Sequence, residues 1–251
     1  MDLVLLLLAA LFAGFVDAVA GGGGLIQVPA LLVALPAEAP ATVFGTNKLS
    51  SIFGTANAAL RYARRIALPW GIALPAAAAA FLFSFAGAAA VAWMPKDVVR
   101  PLVLGLLVGV MAYTLARPEF GHVSGARLPS GPERRRAMAA GAALGFYDGF
   151  FGPGAGSFMI FAFVRWFRLD FLHASSAAKV VNFATNAAAL AYFAPTGHVL
   201  WATGLAMAAF NIAGAMAGSR LALHHGSRFV RVVFIVVAGI LIVRLGYDTL
   251  W

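Results

Sequence analysis

The chain has 251 residues, 62% of them hydrophobic and 11% charged, with a net charge of +9 and no cysteine. Soluble domains carry about 25% charged residues, so this composition excludes a soluble or disordered chain and points to an all-α polytopic membrane protein in one bundle. The positive charge is mostly arginine in short loops, which orients a membrane chain rather than binding nucleic acid. The missing cysteine excludes disulfides, thiolate metal sites and a thiol nucleophile.

Apolar segments follow in the order 3–20, 25–35, 41–60, 67–93, 98–116, 137–151, 156–167, 174–194, 199–222 and 229–247. The first begins like a signal-peptide core and ends in A18-V-A20. Its start, M1-D2, carries no positive charge, and the region recurs deep inside the chain, so it is read as retained structure. The second, sixth and seventh segments look too short to span, and they flank the glycine-rich runs Gly21–Gly24 and Gly152–Gly156. Each run then joins either two half-helices in a re-entrant hairpin or two short tilted spans. Backbone broken at that depth needs protein or water around it.

The segments form two series of five. Asp17 and Asp148 are 131 residues apart, and so are Lys48 and Lys179. F53-G-T55 matches F183-A-T185, F83-S-F-A-G87 matches F210-N-I-A-G214, and Gly105 and Tyr113 match Gly239 and Tyr247. The expected organisation is a first repeat over 1–116, a cytoplasmic linker over 117–136 and a second repeat over 137–251. Placing the basic loops at Arg61–Arg65, Arg117–Arg136, Arg165–Arg168 and Arg220–Arg231 in the cytoplasm puts both termini outside. Lys96 and Arg100, partly offset by Asp97, fit that placement least. With five elements per half, the repeats have opposite orientation, the inverted plan of many secondary transporters.

The ionisable residues in these apolar segments carry the functional argument, because a charge in hydrocarbon costs several kcal/mol. Glycine lets backbone N–H groups approach a ligand, and each glycine run leads into a helix start, a natural anion site. Gly22, Gly23 and Gly24 in the first run, and Gly154, Gly156 and Ser157 in the second, are the expected anion contacts. The competing reading is close helix packing by small residues. Lys48 and Lys179 lie several residues into their segments and can point at one central site. Their alternatives are snorkelling or an ion pair with Asp17 and Asp148. The aspartates then hold the lysines or loops, or one of them carries a coupling proton.

Asn47, Ser51 and Thr55 share a helix face with Lys48 beside them, and Lys179, Asn182 and Asn186 share another. Asn57 and Thr185 are further polar residues of the same helices; such stripes line a polar path or bond helix to helix, whereas Asn211 reads as interhelical glue. The five histidines, His122, His173, His198, His224 and His225, lie in or near loops without metal spacing. Trp70, Trp93, Trp166 and Trp201 fall at segment ends as interfacial anchors. No Ser/His, His/Glu or carboxylate constellation recurs in the segments, so no catalytic residue, metal or cofactor is expected.

In the runs G14-F-V-D17-A-V-A-G-G-G-G24-L-I-Q-V-P29, F44-G-T-N-K48-L, G145-F-Y-D-G-F-F-G152-P-G-A-G156-S-F and A178-K179-V-V-N182-F, the chain resembles the TauE/SafE sulfite exporter family, also called the TSUP superfamily. The resemblance implies a permease of the bacterial inner membrane that moves sulfite, sulfonates or other organic anions, usually outward. The expected partners are one small anionic substrate, the lipid bilayer and, optionally, a second copy of the chain in a homodimer. The alternative is a non-catalytic membrane assembly or scaffold protein whose buried charges are structural.

Overall fold

The computed structural model describes residues 2–93, 105, 131–169 and 171–225. The expected segment 229–247, segment 98–116 apart from Gly105, most of the 117–136 linker, Lys96, Asp97, Arg100 and His122 lie outside the described residues.

Among the described residues there are eight helices and no strand. They are α1 (Asp2–Ala20), α2 (Gly24–Ala34), α3 (Pro40–Ala63), α4 (Trp70–Ala92), α5 (Gly131–Phe150), α6 (Ala155–Phe167), α7 (Phe171–Phe193) and α8 (Trp201–His225). Leu3–Ala20, Trp70–Ala92 and Trp201–His224 are long and apolar enough to cross a membrane. Helices α3, α5 and α7 have comparable length, with 24, 20 and 23 residues. They are less apolar because α3 and α7 carry Lys48, Lys179 and their polar neighbours, and α5 carries Glu133, Arg134–Arg136 and Asp148. Helices α2 and α6 have only 11 and 13 residues. At 1.5 Å per residue they reach roughly 16 and 20 Å, well short of the ~30 Å hydrocarbon core.

One expected length is corrected. Segment 137–151 is not a half-helix, because α5 starts at Gly131 and runs 20 residues. Hydropathy stops at Arg134–Arg136, but arginine is a good helix former, and Glu133 in the first turn suits the helix dipole. Each glycine run therefore joins one full-length helix to one short helix.

The helices pack reciprocally. Helix α4 lies mainly on α5 and α7, while α8 lies mainly on α1 and α3. Gly87 of α4 meets the backbone of α5 at Phe146 and Phe150, and Gly214 of α8 meets the backbone of α1 at Leu11 and Phe15. Small residues at these crossings let the axes approach closely, which is how helices associate where lipid offers no hydrophobic drive. Two large clusters of buried apolar residues fill the interior. One is built on α1, α2 and α3, including Leu25, Leu31 and Phe44. The other is built on α4, α6 and α7, including Met159, Phe163 and Val181. Leu3, Leu8, Phe12, Leu74, Leu82 and Leu205 point outward as an apolar surface. Trp70, Trp93, Trp166 and Trp201 are exposed at or near helix ends, where interfacial anchors belong.

Arg136, Arg165, Trp166 and Arg168 line one cavity of about 500 Å³. The end of the linker and the α6–α7 turn therefore lie on the same face.

Candidate functional site

The two glycine runs touch. Gly21 takes φ +73°, which ends α1 sharply, and its Cα hydrogen faces the backbone of Gly156 and Ser157. A Cβ there would stand 2.6 Å from Ser157 N, and a Cβ at Gly156 would stand 2.7 Å from Gly21 Cα. Ser157 ties the runs together, its N–H donating to Gly21 O at 3.1 Å and its hydroxyl to Ala20 O at 2.6 Å. Gly24 faces Gly152 and Pro153 across the same seam. At these positions the packing role of glycine holds.

The seam also leaves donors open. Leu25 N–H donates to Gly22 O, and the N–H groups of Ile26 and Gln27 donate to Gly23 O. Ala155 N–H donates to Gly152 O, and Phe158 N–H to Gly154 O. Among the described residues, the backbone N–H groups of Gly22, Gly23, Gly24, Gly154 and Gly156 meet no acceptor. All but Gly24 are buried residues. Buried backbone donors are rarely left unpaired, because each costs about as much as a lost hydrogen bond.

The charges flank this seam and pair across the two halves of the chain. Lys48 Nζ of α3 sits 2.9 Å from Asp148 Oδ1 of α5, with both side chains 3% exposed. Lys179 Nζ of α7 sits 2.9 Å from Asp17 Oδ2 of α1, with exposures of 0% and 15%. Lys179 also donates to the backbone carbonyl of Asp17, which receives Gly21 N–H as well. A Cβ at Gly152 would stand 3.4 Å from Lys48 Nζ and 3.5 Å from Asp148 Oδ1, so this pair borders the second run. Asp17 Cβ lies against Gly23 in the first run. Each lysine thus meets the aspartate of the opposite half.

The expected polar stripes divide. Asn186 donates to Asn182 Oδ1 at 2.8 Å and, more loosely, to Thr55 Oγ1 at 3.5 Å. Thr55 in turn donates to Asp17 Oδ2 at 3.4 Å, so Thr55, Asn182 and Asn186 form a chain leading to the Asp17 pair. Asn47 is buried beside Lys48 with its Oδ1 unpartnered. Ser51 is half-buried on the same helix. Asn57 instead accepts from Arg61 Nε at 2.9 Å near the end of α3.

Gln27 is a polar centre that the sequence patterns did not single out. It is fully buried, donates to Asn47 O at 3.4 Å, and accepts from Ser50 Oγ at 3.4 Å and Asn211 Nδ2 at 3.0 Å. Asn211 is thus the interhelical glue expected of it. A polar residue in the 11-residue apolar α2 was the available signal for Gln27. Replacing Asn211 by leucine should leave Gln27 Oε1 with only the long Ser50 bond and destabilise the protein by about 1 kcal/mol. A melting temperature equal to wild type in detergent would show that this network carries no stability.

Known proteins resemble the chain over nearly its whole length. The model of the family described as sulfite exporter TauE/SafE matches residues 6–245. The chain is 36% identical over 244 residues to the probable membrane transporter protein YfcA of Escherichia coli K12, covering 97% of this chain and 89% of that protein. It is 35% identical over 253 residues to the probable membrane transporter protein ORF9 of a Sinorhizobium species, covering 98% and 93%. A probable membrane transporter protein of Haemophilus influenzae is 34% identical over 267 residues, covering 100% and 99%. No solved structure matches the chain significantly.

Proposed function

From the premise that the chain belongs to the sulfite exporter TauE/SafE family and is an integral membrane transporter, we propose that it moves small sulfur-containing or organic anions, with sulfite and sulfonates foremost, outward across a bacterial inner membrane. The anion binds near the midplane, between two inverted repeats. The observation that carries this reading is the seam of two glycine runs with unpaired N–H groups, bordered by both buried lysines. An anion supplies the acceptor that those donors lack, and helix starts favour negative charge.

The roles follow from the contacts. Gly22, Gly23, Gly24, Gly154 and Gly156 offer N–H groups, Lys48 and Lys179 offer charge, and Asn47 and Ser51 lie beside Lys48. Ser157, Asn182 and Asn186 hold the seam and the Asp17 pair in place. Reciprocal pairing of Lys48 with Asp148 and of Lys179 with Asp17 is what a two-fold relation between halves generates, and this supports a repeat; its inverted orientation rests on the loop charges. The shared cavity of Arg136, Arg165 and Arg168 supports one cytoplasmic face for those loops, with both termini outside.

Thermal melting in detergent with sulfite, thiosulfate, sulfonates and carboxylates tests the reading. A ligand that binds only the folded state stabilises it by about 2.7 kcal/mol at a hundred times its Kd. Saturable stabilisation by at least one anion, diminished in Lys48→Ala, is the expected result. No shift across the whole panel would sink the anion reading and favour a scaffold.

A further inference from the structure

The two ion pairs differ in one respect that a transporter can use. Asp17 Oδ2 receives both Lys179 and the Thr55 hydroxyl. Thr185 occupies the position matching Thr55 in the second half, but its hydroxyl turns back to Asn182 O at 2.9 Å. Asp148 therefore lacks the hydroxyl that Asp17 has. Its Oδ1 meets Lys48, while its Oδ2 is buried with no partner. A buried carboxyl oxygen without a donor is costly, and a proton placed on it removes the charge that makes it so.

We propose that Asp148 is the proton-carrying residue that couples anion movement to proton movement, with Asp148 Oδ2 as the atom that takes the proton. The inference rests on the anion-transport reading above. A proton on Oδ2 neutralises Asp148 and releases Lys48 from its pair. Lys48 then faces the second glycine run with an uncompensated charge, and a monovalent anion restores neutrality. With neither bound, the site holds two lysines and two aspartates and is neutral. With both bound it is neutral again, whereas either alone leaves a net charge. A net charge buried in low dielectric opposes reorientation, so the neutral forms are the ones that cross. Proton and anion then travel together in the same direction, so outward movement is driven by an anion gradient that exceeds the opposing pH gradient, and nothing is oxidised or reduced.

The neighbours of Asp148 leave it this role. Lys48 faces it from α3. Tyr147, on α5 itself, donates its hydroxyl to Pro153 O at 2.6 Å. Helix α4 has no titratable side chain. Helix α6 has only Arg165, which lines the basic cavity. Helix α7 brings His173 near its start, Tyr192 near its end and Lys179, which is held by Asp17.

The test uses the full chain in proteoliposomes with labelled methanesulfonate, whose charge is fixed across the working pH range. Two fluxes are read: exchange between loaded vesicles, which needs no net proton, and net flux driven by a pH gradient, with an entrapped pH dye. Wild type should show both, with the dye reporting proton movement alongside the anion. In Asp148→Asn the proton-loaded form is mimicked, so exchange persists at a reduced rate. The empty site then carries a net charge, and gradient-driven flux should fall at least about tenfold. The double variant Lys179→Met with Asp17→Asn removes one balanced pair, keeps the empty site neutral and should still move protons with the anion. If Asp148→Asn does not fold, Asp148→Glu retains the carboxyl and should retain coupling with a displaced pH profile; an unaltered profile overturns the assignment. Wild-type net flux without proton movement overturns the coupling and leaves the transport reading standing. Absence of exchange in wild type removes the transport reading, and this inference with it. Loss of proton movement in that double variant with retention in Asp148→Asn would reverse the assignment.

Discussion

Replacing Lys179 by alanine should destabilise the protein by about 3–5 kcal/mol, the range for a buried ion pair broken from one side. Lys179 is fully buried and donates to both the carboxylate and the backbone carbonyl of Asp17. Its removal leaves a charge in the interior and frees the acceptor that fixes the end of α1. For a chain of this size the melting temperature should fall by about 10 °C or more. The double variant Lys179→Met with Asp17→Asn removes both charges and should recover most of the loss, because neutral groups of similar volume often replace a buried pair at little cost. The lysine is thus expected to matter for stability as well as for anion affinity. A single variant that melts within about 2 °C of wild type would contradict the pairing.

The second large effect belongs to the glycine seam. Gly156→Ala should be poorly tolerated, since its Cβ would stand 2.7 Å from Gly21 Cα and 3.0 Å from Gly21 C, backbone that cannot swing aside. Gly21→Ala adds a left-handed backbone at φ +73° to a collision with Ser157 N at 2.6 Å. Overpacking costs about 1–3 kcal/mol and the left-handed conformation roughly 1–2 kcal/mol more. Gly197 is the internal comparison, with φ +77° and open space around its missing Cβ. Gly197→Ala should therefore cost only the conformational part, roughly 1–2 kcal/mol. The measurement is melting temperature and yield in detergent for the three variants side by side. Equal behaviour of Gly156→Ala and Gly197→Ala would mean that the two runs are not in contact.

Much of this architecture is legible in the sequence because membrane chains punish buried charge. Asp17, Lys48, Asp148 and Lys179 stand out against apolar surroundings, and a common 131-residue spacing relates them in two pairs. The partnering is not legible. The same spacing allows each lysine to meet the aspartate of its own half, and it is the packing of α4 on α5 and α7, and of α8 on α1 and α3, that brings opposite halves together. The start of α5 is hidden because hydropathy falls at Arg134–Arg136 while helix propensity does not. The Gln27–Asn211 bond joins residues 184 positions apart, beyond any local pattern. The difference between Thr55 and Thr185 is one of hydroxyl direction, which residue type leaves open.

The most direct test of the account is anion flux into proteoliposomes carrying the purified protein, measured for sulfite, methanesulfonate and a carboxylate of similar size. The account predicts saturable, mutually competitive flux of at least one sulfur-containing anion, greatly reduced in Lys48→Ala, whose site loses the charge that the anion needs in low dielectric. A folded wild-type protein that moves none of these anions, or moves them equally well without Lys48, would contradict it.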